Sequence, residues 1–310
     1  MAPPTSTTLI SPAELSYLRS SLALNPPIRP DARSPTQFRP LVAEIDILPS
    51  TNGSARMIWG DGGECVVGVK VEVEPTELTA DGKRKNWVEI GVEVQGQRDD
   101  DPLGVFLGMT VTESLLTPSS TLTERLAITS RFHWKMYIDI LLITPPLSHP
   151  GTLLSLSTNL ALRSTRLPRL TSEADEDPMF DDDWDASVPL YQASNQLPPI
   201  TLLVLSVGDN IFFDPTKEEL AVADCVLAVS LATNSAKDTP KVIGVRTLES
   251  GSGGIVTTAG AKDVGSGGAA VEATSMGGVK RTVVKKIIKE SLSVGKEVFG
   301  SLQGVVDANH

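Results

Sequence analysis

The sequence predicts an α+β fold built as two βα halves, and three observations carry that prediction. Before residue 96 the stretches KVEVE and VEIGVEV alternate valine or isoleucine with glutamate, the pattern of strands with one buried face and one wet face. An apolar run, MYIDILLI (136–143), is then followed by a helix-like stretch opening at Gly151. Beyond residue 198 the apolar runs PITLLVLSVG, NIFFD, CVLAVSLA and KVIGVRTL return, and an amphipathic helix closes the chain.

The first element is SPAELSYLRSSLAL (11–24). Ser11 can cap it, Pro12 suits the first helical position, and Glu14 completes a capping box. Leu15, Tyr17, Leu18 and Leu22 are expected on its apolar face. The proline-rich stretch NPPIRPDARSPTQFRP (25–40) reads as an extended arm, too polar for core. LVAEIDIL (41–48) alternates in part. SARMIWG and ECVVGVKVEVE are joined by Asp61-Gly62-Gly63, a hairpin signal. NWVEIGVEVQG (86–96) is a further strand. PLGVFLGMTVTESLL (102–116) reads as a helix weakened by Gly104 and Gly108. FHWKMYIDILLI (132–143) is expected to be a central strand, because its later part is continuously apolar. The next helix covers 151–165.

Residues 171–187 crowd Glu173, Asp175, Glu176, Asp177, Asp181, Asp182, Asp183 and Asp185 into one segment. The spacing lacks the central glycine and closing glutamate of a calcium loop, so a solvated acidic loop is expected and no metal. Strands resume at 198, with a tight turn at Gly208-Asp209-Asn210. The stretch 249–278 is rich in Gly, Ser, Ala and Thr and has no lysine in a phosphate-loop frame, so it reads as a surface insertion. The last helix, 279–302, sets Val283, Val284, Ile287, Ile288, Leu292 and Val298 against a basic face of Arg281, Lys285, Lys286 and Lys289. The expected organisation is therefore an N-terminal helix and arm (1–40), a first half (41–170), an acidic connecting loop (171–197), and a second half (198–310) carrying the insertion 249–278 and the final helix.

Composition narrows the function. The chain has 310 residues and a net charge of −11, which argues against wrapping nucleic acid broadly but leaves room for a local basic path. No apolar run approaches the ~20 residues that span a bilayer, and MAPPTSTTLI does not resemble a secretory signal. The two cysteines, Cys65 and Cys225, sit in apolar runs and are expected to be buried, reduced thiols. His133, His149 and His310 have no metal-ligand spacing, and no G-x-S-x-G elbow is present. Two local signals remain. One is the helix start at Gly151 and Thr152, where unpaired N–H groups attract anions. The other is FFDPTKEELAVAD, in which a strand ends at Asp214 and Glu218, Glu219 and Asp224 follow. Those carboxylates suit acid–base or metal work; alternatively Asp214 or Thr216 caps a short helix and the glutamates favour its dipole.

The segments IRPDARSPTQFRP, NGSARMIWGDGGECVVGVKVEVE, GQRDD, FHWKMYIDILLI with SHPGTL, and VGDNIFFDPTKEEL together resemble the RNase PH-like subunits of the eukaryotic RNA exosome. Their order and spacing carry the resemblance, which covers most of 11–250 and the final helix but not 249–278. It implies an RNase PH-like fold whose first half is similar to the second domain of ribosomal protein S5. Phosphorolytic members of that family bind phosphate at a helix start reading Gly-Thr-Arg or Gly-Ser-Arg. Here Gly151 and Thr152 match and Leu153 replaces the arginine, removing a bidentate phosphate ligand. Those members also place a second carboxylate six residues after the strand-end aspartate. Asp214 matches the first and Leu220 stands at the second; Glu219, one residue earlier, is expected to point elsewhere. The arginines that active members carry on the helix before the central strand are missing from 102–116.

The resemblance thus implies a non-catalytic structural subunit, without cofactor, of a hexameric ring that threads single-stranded RNA to a separate nuclease. Implied partners are other RNase PH-like subunits, with a direct pair formed with the mRNA transport regulator 3 subunit, as well as cap subunits and associated exoribonucleases. Implied locations are nucleus, nucleolus and cytoplasm, with no membrane. Arg98, Arg125 and Arg131 are the expected RNA contacts. The alternatives are an active phosphate-dependent 3′-to-5′ exoribonuclease, or a sibling ring subunit of the ribosomal RNA-processing protein 43 or 45 type.

Overall fold

The computed structural model describes residues 10–76, 87–98, 101–117, 121–172, 177–191, 196–248 and 280–309. The insertion 249–278, the acidic residues Glu173, Asp175 and Glu176, and Asp99 and Asp100 lie outside the described residues.

Helix α1 (Pro12–Leu22) starts as its capping box dictates. The Glu14 N–H donates to Ser11 Oγ at 3.2 Å, and the Ser11 N–H donates back to the Glu14 carboxylate at 2.9 Å. Tyr17 departs from expectation and is 76% exposed. It sits about 100° round the helix from Leu18, outside the stripe that Leu15, Leu18 and Leu22 turn inward.

The first sheet holds β1 (Leu41–Ile45), β2 (Gly53–Trp59), β3 (Glu64–Pro75), β4 (Val88–Val94) and β5 (Phe132–Thr144), in the order β1-β2-β3-β5-β4. All its pairings are antiparallel except β4 with β5. A parallel pair needs a crossover, and α2 (Pro102–Leu115) with the short α3 (Leu122–Arg125) provides it. The β2–β3 hairpin turns through Gly62 at φ +87°. β5 is flanked on both edges, as expected of a central strand, yet Asp139 and Leu141 remain exposed on its outer face. Its apolar run therefore does not come from burial on two faces.

Helix α4 (Gly151–Ser164) is followed by the two-residue strands β6 (Arg166–Leu167) and β7 (Val188–Pro189), which pair with each other. The second sheet is antiparallel, with order β11-β10-β8-β9, from β8 (Ile200–Val207), β9 (Asn210–Phe213), β10 (Cys225–Ala232) and β11 (Lys241–Leu248). Between β9 and β10 lies α5 (Lys217–Ala221), and α6 (Arg281–Ala308) ends the fold.

Helix α4 touches β2 and β3 of one sheet and β8 of the other, and every residue from Thr152 to Ser164 is buried. Its sequence, rich in Ser, Thr and Asn, would look too polar for that position. The explanation lies on β8. β9 pairs only with residues 204–207 of it, which leaves the first half of that edge open. Two hydroxyls of α4 close the gap: the Thr201 N–H donates to Ser155 Oγ at 2.7 Å and the Leu203 N–H to Thr152 Oγ1 at 3.0 Å. Asn159 Nδ2 donates to the Pro198 carbonyl at 2.6 Å. Buried polar groups that find partners in this way lose little on leaving water.

Helix α6 buries Val283, Ile287, Val294, Phe299, Leu302 and Val306 against β8, β10 and α4. Each such side chain contributes about 1.5–3 kcal/mol. The expected Val284, Ile288, Leu292 and Val298 are half-buried flanks of that stripe. Cys65 and Cys225 are free and buried, and burial pushes the Cys65 thiol up to about 12, keeping it protonated.

The tightest approach between sheet and helix is at Gly53. A Cβ there would lie 2.4 Å from Thr165 Oγ1 and 2.6 Å from the Thr165 backbone. Gly53→Ala must push β2 away from the end of α4, and is expected to cost about 2–3 kcal/mol. Urea unfolding of the two proteins measures this; an unchanged midpoint would contradict the close approach.

Candidate functional site

Asp214 ends β9 in the left-handed region, at φ +48°, and is buried. That conformation turns its carboxylate away from β9 and toward the arm at 25–40. The arm runs along β9, where the Phe213 N–H donates to the Pro35 carbonyl at 2.9 Å. Three arginines of the arm then converge. Arg33 Nη1 reaches Asp214 Oδ2 at 2.8 Å. Arg39 donates to the same carboxylate from Nε at 2.9 Å, from Nη2 at 2.5 Å and from its backbone N–H at 2.7 Å. Arg29 Nη2 and Arg33 Nη2 take the Asp214 carbonyl at 3.1 and 3.0 Å.

Glu219 joins the same network. Thr216 and Glu219 form a capping box that starts α5, with the Thr216 N–H on Glu219 Oε2 at 2.9 Å. The same carboxylate receives Arg29 Nε at 2.7 Å and Nη2 at 2.8 Å, a two-pronged pair with both side chains fully buried. One expectation is corrected here. The arm is not too polar for core, because Arg29 lies in it with a partner for every nitrogen. Glu219 does point elsewhere than Leu220: capping α5 turns its carboxylate back along the helix, onto Arg29.

Arg39 links this cluster to the first half. Its Nη1 donates to Asp61 Oδ2 in the β2–β3 turn at 2.5 Å, and its Nη2 to Ser148 Oγ at 2.8 Å. The guanidinium lies 4.5 Å from the Trp59 ring centre. Burial alone would lower the Arg39 pKa, but Asp214, then Asp61 and Glu219, carry it above the ordinary guanidinium value. The start of α4 and the end of β9 are thus brought together, as their candidacy requires.

What meets there is a closed ion network. Asp31, which also pairs with Arg33, joins Asp61, Asp214 and Glu219 against three guanidiniums. All three nitrogens of Arg29, Arg33 and Arg39 donate to protein oxygens. Among the described residues, the four carboxylates of this network outnumber its three guanidiniums, so it offers no surplus of positive charge to the start of α4. The helix start itself is answered from within. The Gly151 N–H donates to His149 Nδ1 at 3.0 Å, Thr152 Oγ1 is held by β8, and Leu153 is fully buried in the core. Burial keeps the His149 pKa below its ordinary value, so the neutral ring can accept that bond. Leu220 is half-buried and packs, like Leu15, Leu18 and Ala223, against the buried cluster that includes Leu22, Leu205 and Phe212. Among the described residues no group of three His, Cys, Asp or Glu could hold a metal ion.

The three arginines proposed as RNA contacts fall into different settings. Arg98 lines a cleft at the end of β4 with Glu93, Gln95, Asp101 and Leu141. Arg131 is exposed and pairs with Asp177 at 3.0 Å. Arg125 is engaged at each of its nitrogens. It donates to Thr121 Oγ1, the Leu190 carbonyl and the Gln196 carbonyl at 3.0–3.1 Å and stacks on Tyr191. The arm arginines, which do hold the site, were missed by sequence reasoning. Their recurrence in IRPDARSPTQFRP was a legible signal, but nothing local identified Asp214 and Glu219 as their partners.

No family model matches the chain. The exosome complex component RRP42 of Saccharomyces cerevisiae is 35% identical over 226 residues, covering 71% of this chain and 81% of that protein. The chain belongs to the RRP42 family of exosome complex components. A second member, from Schizosaccharomyces pombe, is 33% identical over 252 residues, covering 76% and 82% of the two chains. The sequence resemblance, closest to ribosomal RNA-processing protein 42 within the RNase PH-like subunits, is thereby borne out. A solved structure of the Archaeoglobus fulgidus exosome with RNA bound to the active site aligns with a TM-score of 0.62 at 19% identity. It covers 92% of this chain and 95% of that one, and agrees with the predicted α+β, RNase PH-like fold.

Two outcomes follow from the site. Removing one member of a buried ion pair strands the other, so Arg29→Met is expected to destabilise the chain by about 3–5 kcal/mol in urea unfolding. Adding Glu219→Gln should recover part of that loss, because the stranded charge is gone. Additive losses would show that the two groups do not interact. The second outcome concerns pH. Unfolded imidazole titrates near 6.5 and the folded value lies lower. The His149 contribution is therefore whole above about pH 6.5 and declines as pH falls through that value toward the depressed one. Melting curves from pH 7.5 to 5, in intervals of about half a unit, should fall less steeply for His149→Asn than for the parent chain.

Proposed function

We propose that this chain is a non-catalytic structural subunit of an RNA exosome core ring, in which single-stranded RNA is confined and passed to a separate nuclease. Membership of the RRP42 family supports the ring role. The observation that carries the non-catalytic part is the state of Asp214. Its two carboxylate oxygens are taken by Arg33 and Arg39, so it holds a fold together where an acid–base group would need an open face. Leu153 and Leu220 supply no charged group beside it. A ring member needs two neighbours. The reading assigns one direct pair to the subunit called mRNA transport regulator 3, with cap subunits and exoribonucleases binding the assembled ring. Such a subunit is expected in nucleus, nucleolus and cytoplasm.

The test has two arms. Affinity purification of the tagged chain from cells should return RNase PH-like subunits in equal amounts; a lone, monomeric chain would overturn the ring role. In the second arm, purified chain, labelled single-stranded RNA and inorganic phosphate should give no shortening above background. Phosphate-dependent release of nucleoside diphosphates that follows the chain through purification would overturn the non-catalytic part. Leu153→Arg alone should not create activity, since catalytic groups that act as a unit are not additive.

A further inference from the structure

The N-terminal part of α6 carries Lys280, Arg281, Lys285, Lys286 and Lys289 within ten residues that contain no acid, in a chain whose net charge is −11. All five are exposed. Arg281, Lys285 and Lys289 are four residues apart, so they form one stripe with steps of about 6 Å along the axis. Among the described residues none of these three has an ion pair or hydrogen-bond partner for its side chain. Lys286 is fixed instead, with Nζ on the Asp209 carbonyl at 2.8 Å, at the edge of the stripe.

The arrangement opposes the helix. α6 has no side-chain cap and no acid in its first turn, and its cations sit at the end where the dipole is already positive. Helix stability therefore gives no reason for them; an anion would.

The character of that anion follows from the rest of the face. Insertion of α6 into a membrane is excluded because its apolar side, from Val283 to Val306, is buried against the second sheet and α4. A protein partner would want apolar or aromatic anchors among the charges, and lysine is depleted in such interfaces. Among the described residues α6 exposes no large apolar side chain. What remains is a row of cations alone, which is all that a phosphate backbone needs.

We propose that Arg281, Lys285 and Lys289 form a sequence-independent contact for the phosphates of single-stranded RNA on the outer face of α6. The choice of RNA as the polyanion rests on the exosome reading; the charge pattern does not.

The test compares the full chain with its Arg281→Gln, Lys285→Gln, Lys289→Gln variant. A second triple variant, Lys70→Gln, Lys237→Gln, Lys241→Gln, removes equal charge from exposed sites elsewhere. Anisotropy of a labelled single-stranded oligoribonucleotide is followed from about 50 to 200 mM salt. Each neutralised phosphate contributes about 0.7 to the slope of log affinity against log salt, so the α6 variant should lose about 2 from that slope. Its affinity at the lowest salt should fall roughly a hundredfold, so that it remains the weaker binder up to about 200 mM. The control should change little, and the α6 variant should melt no lower than the parent. Equal weakening by both variants, no weakening by either, or no measurable binding by the parent overturns the contact. So does a polyglutamate peptide that competes as well as RNA. Purification of the α6 variant from cells separates the two readings. Lost ring subunits with unchanged RNA affinity would make the face a subunit interface and overturn the proposal. Absence of ring subunits from the parent chain would instead overturn the exosome reading.

Discussion

The fold depends on one contact, the meeting of the 25–40 arm with Asp214 and Glu219. Arg29 and Glu219 are fully buried, Arg33 and Asp214 nearly so. Charges so far from water are tolerable only as a set, with every prong answered. The set reaches both halves: Glu219 opens α5, Asp214 ends β9, and Arg39 extends to the β2–β3 turn and to Ser148 before α4. Such a network contributes less to net stability than to registry, because its members fit in one arrangement only.

Helix α4 is governed by the same rule with neutral groups. Its hydroxyls stand where a strand would otherwise have supplied carbonyls, and they join the two sheets through hydrogen bonds as well as packing. The start of the helix has lost its freedom in the process. One N–H is taken by His149, the Thr152 side chain faces β8, and Leu153 is core. A helix end that could receive an anion has become an internal joint.

Much of this was legible because it was local. The Ser11–Glu14 box, the Asp61-Gly62-Gly63 hairpin and the valine–glutamate alternation each specify structure through neighbours within a few residues. What was illegible depended on partners far along the chain. Arg29 read as solvated arm because Glu219 stands 190 positions away. The Ser and Thr of α4 concealed its depth, since the open edge they cover belongs to β8. Tyr17 misled for a different reason: an aromatic residue near an apolar stripe was counted into it, though the helical angle excludes it. For the site, substitution at Leu153 and Leu220 could be read from the resemblance, while the enclosure of Asp214 required three dimensions.

The separation between Arg29 and Glu219 also has a meaning in time. At roughly 5–20 residues per second, a ribosome releases the arm about 10–40 s before the carboxylate that will hold it. During that interval Arg29 lacks the carboxylate that will hold it, while Arg33 and Arg39 have nearer ones in Asp31 and Asp61. The first half can pair β1, β2 and β3 by local hairpins, but Arg29 cannot settle until β9 and α5 emerge. The arm is thus made well before the segment on which Arg29 closes. In the interval its positive charge is open to whatever polyanion lies nearby, and around a ribosome that is RNA.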